Sequence, residues 1–148
     1  MRKKQNRLLK NISHYLPHHK NNKDMIQELR IGNYLNEKSN GIARVVSITE
    51  QGKNEFKIGV IVKPFNNYTL SNPILSPIEI SEELLLKCGF EYFKEAGYCD
   101  KNNIIYQTND GWELLINCID RCSVNIKYLH ELQNINYAIF KEELKVNL

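Results

Sequence analysis

The densest run of chemistry-bearing side chains in this 148-residue sequence is Tyr128, His130, Glu131, Gln133 and Asn134. A histidine beside carboxylates is the raw material of general acid–base catalysis, in which the imidazole moves a proton and the carboxylate orients the ring. In that reading His130 is the general base and Glu131 or Asp120 holds it in place. If nothing is catalysed, the same five residues are the binding residues that the sequence offers. A structural role competes with both. On a helix His130 and Asn134 lie one turn apart on one face, with Glu131 off it. Such side chains meet solvent or satisfy the backbone of an adjoining loop. A histidine with no nucleophile beside it favours the structural role over catalysis.

The other metal- and nucleophile-type residues are Cys88, Cys99, Cys118 and Cys122. A zinc site built from them and His130 lacks the C-x-x-C spacing that such sites use, and Cys118 and Cys122 sit in an apolar segment. Buried thiols packed in a core are the expectation, with no metal and no cofactor. The sequence carries no export signal, so these thiols are expected to be reduced in a cytoplasmic setting. No apolar run is long enough to span a membrane. Phosphate loops, G-x-S-x-G elbows and H-E-x-x-H pairs are missing.

Charge is unevenly spread. Residues 1–24 hold seven Lys or Arg against Asp24 alone, a net +6, whereas 25–148 hold 13 basic and 16 acidic residues, a net −3. Arg2, Lys3, Lys4, Arg7 and Lys10 form the arm through which nucleic acid would be bound. Leu8, Leu9, Ile12, Tyr15 and Leu16 recur at helical spacing within it, and Pro17 would stop such a helix. The arm therefore reads as a nucleic-acid contact, a segment docked on the domain, or a solvated extension. The aromatics Tyr68, Phe90, Tyr92, Phe93, Tyr98 and Tyr106 could stack on bases, but an acidic body repels phosphate, and such rings are more often core.

The elements that would position these residues define an α+β fold. An extended segment opens near Leu29 and is interrupted by Gly32-Asn33. Strands follow at 42–48 and 56–62, rich in β-branched residues and joined by turn chemistry. Together they predict an antiparallel meander, in its most compact form a small SH3-like barrel. Residues 63–77, with three prolines, read as an irregular connector. Ser81 caps a short central helix at 82–88 that Gly89 ends. Asp110-Gly111 between two β-rich runs predicts a hairpin. Residues 123–127 suit a further strand, and Tyr128 to Phe140 a closing helix that buries Tyr128, Leu132, Ile135 and Ile139. Leu144 to Leu148 suits a terminal strand or a docked tail. Residues 1–24 are expected to be a basic extension or linker, and 25–148 a single α+β domain.

Three segments in order, Glu28-Leu29-Arg30-Ile31-Gly32-Asn33, Pro77 through Phe90, and Ile126 through Asn134 with Glu142-Glu143-Leu144 beyond, resemble an uncharacterised family of small phage and mobile-element proteins. The resemblance spans about residues 27–144. Its pattern is an L-R-I-G-N opening, a P-I-x-L-T-E-E-x-L-x-x-x-G-F centre and a Y-x-H-x-L-Q-N end. It implies no activity and transfers no catalytic residue. Ala138-Ile139-Phe140-Lys141 stands where the family has A-L-T-G, so the turn after the helix is expected to differ. Members start shortly before L-R-I-G-N, which makes Met25 an alternative start and residues 1–24 an appendage.

The functional expectation is a non-enzymatic accessory binding module of a phage or mobile element, acting on a protein or small ligand, with counter-defence as one role that the resemblance suggests. The first alternative is a nucleic-acid-binding regulator that uses the basic arm. The second is a small enzyme with His130 as general base.

Overall fold

A computed structural model describes residues 28–38, 41–52, 55–62, 67–69, 75–116 and 122–148. The fold is α+β, with two antiparallel sheets and two helices. Contacts divide the chain into two compact units, which among the described residues are 28–78 and 79–148. Residues 1–24, which hold the arm cations, lie outside the described residues, as do Cys118 and Asp120.

The first unit is a five-stranded sheet. Its strands are β1 (Tyr34–Glu37), β2 (Gly41–Gly52), β3 (Glu55–Val62), β4 (Asn67–Thr69) and β5 (Leu75–Ser76), in the order β4-β3-β2-β1-β5. The meander expected from the β-branched runs is β1-β2-β3. The segment expected to be irregular also supplies β4 and β5, which are two or three residues long and too short to leave a periodic signal. Pairing between β4 and β5, which would close a barrel, is absent among the described residues. Leu35, Ala43, Val45, Val60 and Val62 form cross-strand pairs on one face, and that face is buried. The apolar positions on β2 change parity, from Ala43 and Val45 to Ile48. A register shift between Val45 and Ser47 takes up the odd residue and keeps Ile48 opposite buried Ile58.

The second unit contains helix α1 (Glu82–Lys87), strands β6 (Glu91–Phe93), β7 (Gly97–Cys99), β8 (Asn103–Thr108), β9 (Gly111–Ile116) and β10 (Ser123–Ile126), and helix α2 (Leu129–Phe140). The strands pair in simple sequence order. Ser81 Oγ accepts from Leu84 N at 3.2 Å and so caps α1, while Leu84 and Leu85 turn inward. Thr108 and Gly111 close the two-residue hairpin predicted at Asp110-Gly111. A row of paired residues, Tyr98, Ile105, Leu114 and Val124, crosses four strands and is buried throughout. The chain end docks without forming a strand: Leu144 and Val146 are buried, and Asn147 N donates to Lys87 O at 2.9 Å. No helix among the described residues is long and apolar enough to cross a membrane.

Candidate functional site

Helix α2 brings the polar run together but encloses it. His130 has no exposed surface, and Gln133, Asn134 and Glu131 are all buried. Leu129, Leu132 and Ile135 share the interior with them, so the first two turns of α2 are buried all round. Glu131 Oε2 accepts from Lys127 N at 2.7 Å and from Tyr128 N at 3.0 Å. This is the loop-satisfying role that the sequence allowed, because the third residue of a helix reaches back to the N–H groups its backbone leaves open. The His130 ring stacks on half-buried Tyr128, with centroids 5.7 Å apart and planes 11° from parallel. His130 lines neither of the two clefts of the second unit. A general base must reach a substrate proton, and here the imidazole is closed off.

Two of the three described thiols, Cys88 and Cys122, are buried, and Cys99 is half-buried. All three lie outside any disulfide. Burial pushes the Cys88 thiol up to about 12. Burial, and then the charge of Asp100, push Cys99 up as well. Both shifts disfavour the thiolate that metal binding and nucleophilic attack require.

Among the described residues, the second unit carries two clefts of note. The larger, about 730 Å³, lies between the β7–β8 turn and the C-terminal tail and is lined by Cys99, Asp100, Lys101, Asn136 and Glu142. Its polar groups hold each other. Lys101 Nζ lies 2.7 Å from Glu142 Oε2, and Asn136 Nδ2 donates to Glu142 O at 2.8 Å. Asp100 Oδ1 accepts from the backbone of Asn102 and Asn103, and its Oδ2 from the Asn103 amide. This cleft is structural cement around a turn.

The second cleft, about 590 Å³, is built from aromatic rings. Register places them together: Tyr92 faces Tyr98 across the β6–β7 pair, Tyr98 faces Ile105, and Trp112 faces Gln107 on the same side of the sheet. The Tyr92 and Tyr98 centroids are 5.1 Å apart with planes inclined at 49°. Those of Tyr98 and Trp112 are 5.9 Å apart at 72°. The three rings therefore face different directions and make a corner. Helix α1 adds the exposed side chain of Glu82 to the lining. Burial first, then the nearby Glu82 carboxylate, push the Tyr98 phenol above its ordinary range. Tyr92 is 60% exposed, so the cleft opens to solvent at that ring, while Tyr98 is buried.

Of the rings considered for stacking, Tyr92, Tyr98 and Tyr106 line this cleft, Phe93 is exposed beside it on β6, and Phe90 is core. Glu82, Gln107 and Trp112 complete it, although nothing in their local sequence marks them. The signal available was the shared strand parity of Tyr92, Tyr98 and Trp112, which becomes legible only once the β6–β7 hairpin is recognised.

Comparison with family models, with curated proteins and with solved structures finds no match for this chain.

Proposed function

We propose that this chain is a non-enzymatic binding module, an accessory protein of a phage or mobile element that acts by holding a partner protein or small ligand. The observation that carries this reading is the cleft lined by exposed Tyr92, half-buried Trp112 and, beneath the surface, buried Tyr98. Large rings supply contact area at low entropic cost, and Tyr92 sits where a ligand can reach it. The L-R-I-G-N resemblance supplies the phage or mobile-element context. The test is affinity capture from the native host with the full chain and with Tyr92→Ala. A partner retained by the first and lost by the second is expected. A hydrolytic or transfer activity that survives purification and disappears in His130→Ala would overturn the reading.

A second reading rests on charge. Residues 79–148 carry 12 acidic and 7 basic residues, a net −5, against +6 in residues 1–24. A nucleic-acid-binding regulator would therefore work through Arg2, Lys3, Lys4, Arg7 and Lys10. It predicts binding with steep salt dependence that is lost when residues 1–24 are deleted.

A further inference from the structure

We infer that the aromatic corner is a site for an alkylated ammonium ion, such as a quaternary ammonium headgroup or a methylated lysine side chain. The assignment rests on the binding-module reading and names the ligand chemistry that this module takes.

Three observations lead to it. The faces of Tyr and Trp rings are negative and attract a cation lying against them. Here the three rings are inclined to one another at 49° and 72°, so no single plane runs through the corner. A planar guanidinium stacks on one face at a time. Tyr98 is buried, so the faces that a rounded ammonium would touch are those of exposed Tyr92 and half-buried Trp112. Base stacking likewise favours flat, parallel platforms, so the geometry does not select a nucleobase.

The second observation is the carboxylate. Glu82 lines the cleft from α1 and places a carboxylate beside the rings. A neutral apolar ligand gains nothing from that charge, and an anionic one is repelled. Third, the lining of the cleft is itself acidic, so its local field favours a cation. Lys94 on the rim is the one basic residue lining the cleft among the described residues, against Glu82 and Glu95.

Methylation of the ammonium matters for a physical reason. A bare ammonium is strongly hydrated and loses that shell on contact with rings. An alkylated one is weakly hydrated and carries apolar methyl groups that the rings can bury.

Trp112 is the single tryptophan of the chain, so its emission reports on this corner alone. The experiment titrates the full-length protein with choline at constant ionic strength. In parallel it uses 3,3-dimethylbutan-1-ol, the neutral isostere, and methylguanidinium. Saturable perturbation of Trp112 emission by choline is expected, with a Kd on the order of 1 mM for so small a ligand. The isostere should bind about tenfold more weakly or not at all. Tyr92→Ala and Glu82→Gln both alter exposed side chains and keep Trp112. Each should weaken choline roughly two- to fivefold. A peptide carrying trimethyllysine and its unmethylated counterpart distinguish a protein source from a headgroup. Equal binding of choline and its isostere, methylguanidinium binding as tightly as choline, or no response to choline would each overturn the assignment. If choline fails while Tyr92-dependent capture of a partner persists, only the ligand chemistry falls. If both fail, the module reading falls with it.

Discussion

Glu131 Oε2 sits 3.0 Å from the backbone nitrogen of Tyr128, and the same oxygen sits 2.7 Å from that of Lys127. One buried carboxylate atom thus satisfies two N–H groups at the entrance of α2. Its negative charge also faces the positive end of the helix dipole. In sequence Glu131 looked like the partner of a catalytic histidine, but in the fold its acceptor capacity is directed at the chain itself.

Glu131→Ala should therefore destabilise the protein by about 2–3 kcal/mol, the cost of leaving two buried donors without their acceptor. Glu131→Gln keeps an oxygen in place and should lose less than about 1 kcal/mol. Urea denaturation of the three proteins measures the difference. If Ala and Gln prove equally mild, the carboxylate does not hold the loop.

The legible parts of this fold are those with a local cause. Ser81, Glu82 and Gly89 bracket α1 because caps and dipoles act within one turn. Asp110-Gly111 announces its hairpin because a two-residue turn needs such residues. The β6–β7 hairpin gave no such cue. Its strands are three residues long, and its turn Lys94-Glu95-Ala96 has no turn dipeptide. The aromatic corner was lost with it. Tyr98 and Trp112 are neighbours only because β7 pairs with β8 and β8 with β9. The burial of His130, Gln133 and Asn134 was illegible for a different reason. Polar residues read as surface, and only tertiary packing places them inside.

Gly97 tests the hairpin that builds the corner. Its φ is +86°, and a Cβ there would lie 2.6 Å from Ile105 O and 3.1 Å from Tyr106 Cβ. Gly111 has φ +125° but nothing within 4 Å of an added Cβ. Both positions strain an L side chain, and only Gly97 also clashes with backbone. Gly97→Ala should cost more than about 3 kcal/mol, and Gly111→Ala about 1–2 kcal/mol. Thermal or urea denaturation ranks them. The reverse order would show that the β7–β8 approach is looser than described.

The Cys88 thiol offers a pH test. Burial raises it from 9.0 to about 12 in the folded state. The folded chain thus keeps the proton longer than the unfolded chain. The associated stability is fully present below about pH 9 and is lost as pH rises from there toward 12. The loss should be at most about 1.4 kcal/mol per pH unit. Cys88→Ala carries a pH-independent cavity cost and lacks this slope. The stability gap between wild type and variant should therefore narrow as pH climbs from about 8 to about 10.5. A constant gap would mean that the thiol ionises as readily folded as unfolded. Site-resolved alkylation at neutral pH should leave Cys88 unmodified in the native protein.

Lys141 ends α2 with φ 59° and ψ 21°, the left-handed conformation. This is the position where the resemblance expected glycine and found lysine. Its backbone N–H donates to Tyr137 O at 2.9 Å, so the helix closes in the way glycine-capped helices do. A non-glycine residue in that conformation costs about 1 kcal/mol. The Lys141 ammonium partly offsets this by lying 5.6 Å from the centroid of the Tyr137 ring, an exposed contact of about 0.5 kcal/mol. Lys141→Gly should remove both effects and stabilise the protein by roughly 0.5 kcal/mol. Lys141→Ala keeps the strain and loses the ring contact, so it should destabilise by a similar amount. Opposite signs for the two variants in urea denaturation are the expected result. If both destabilise, the ring contact outweighs the backbone strain, and lysine is the better residue for ending this helix.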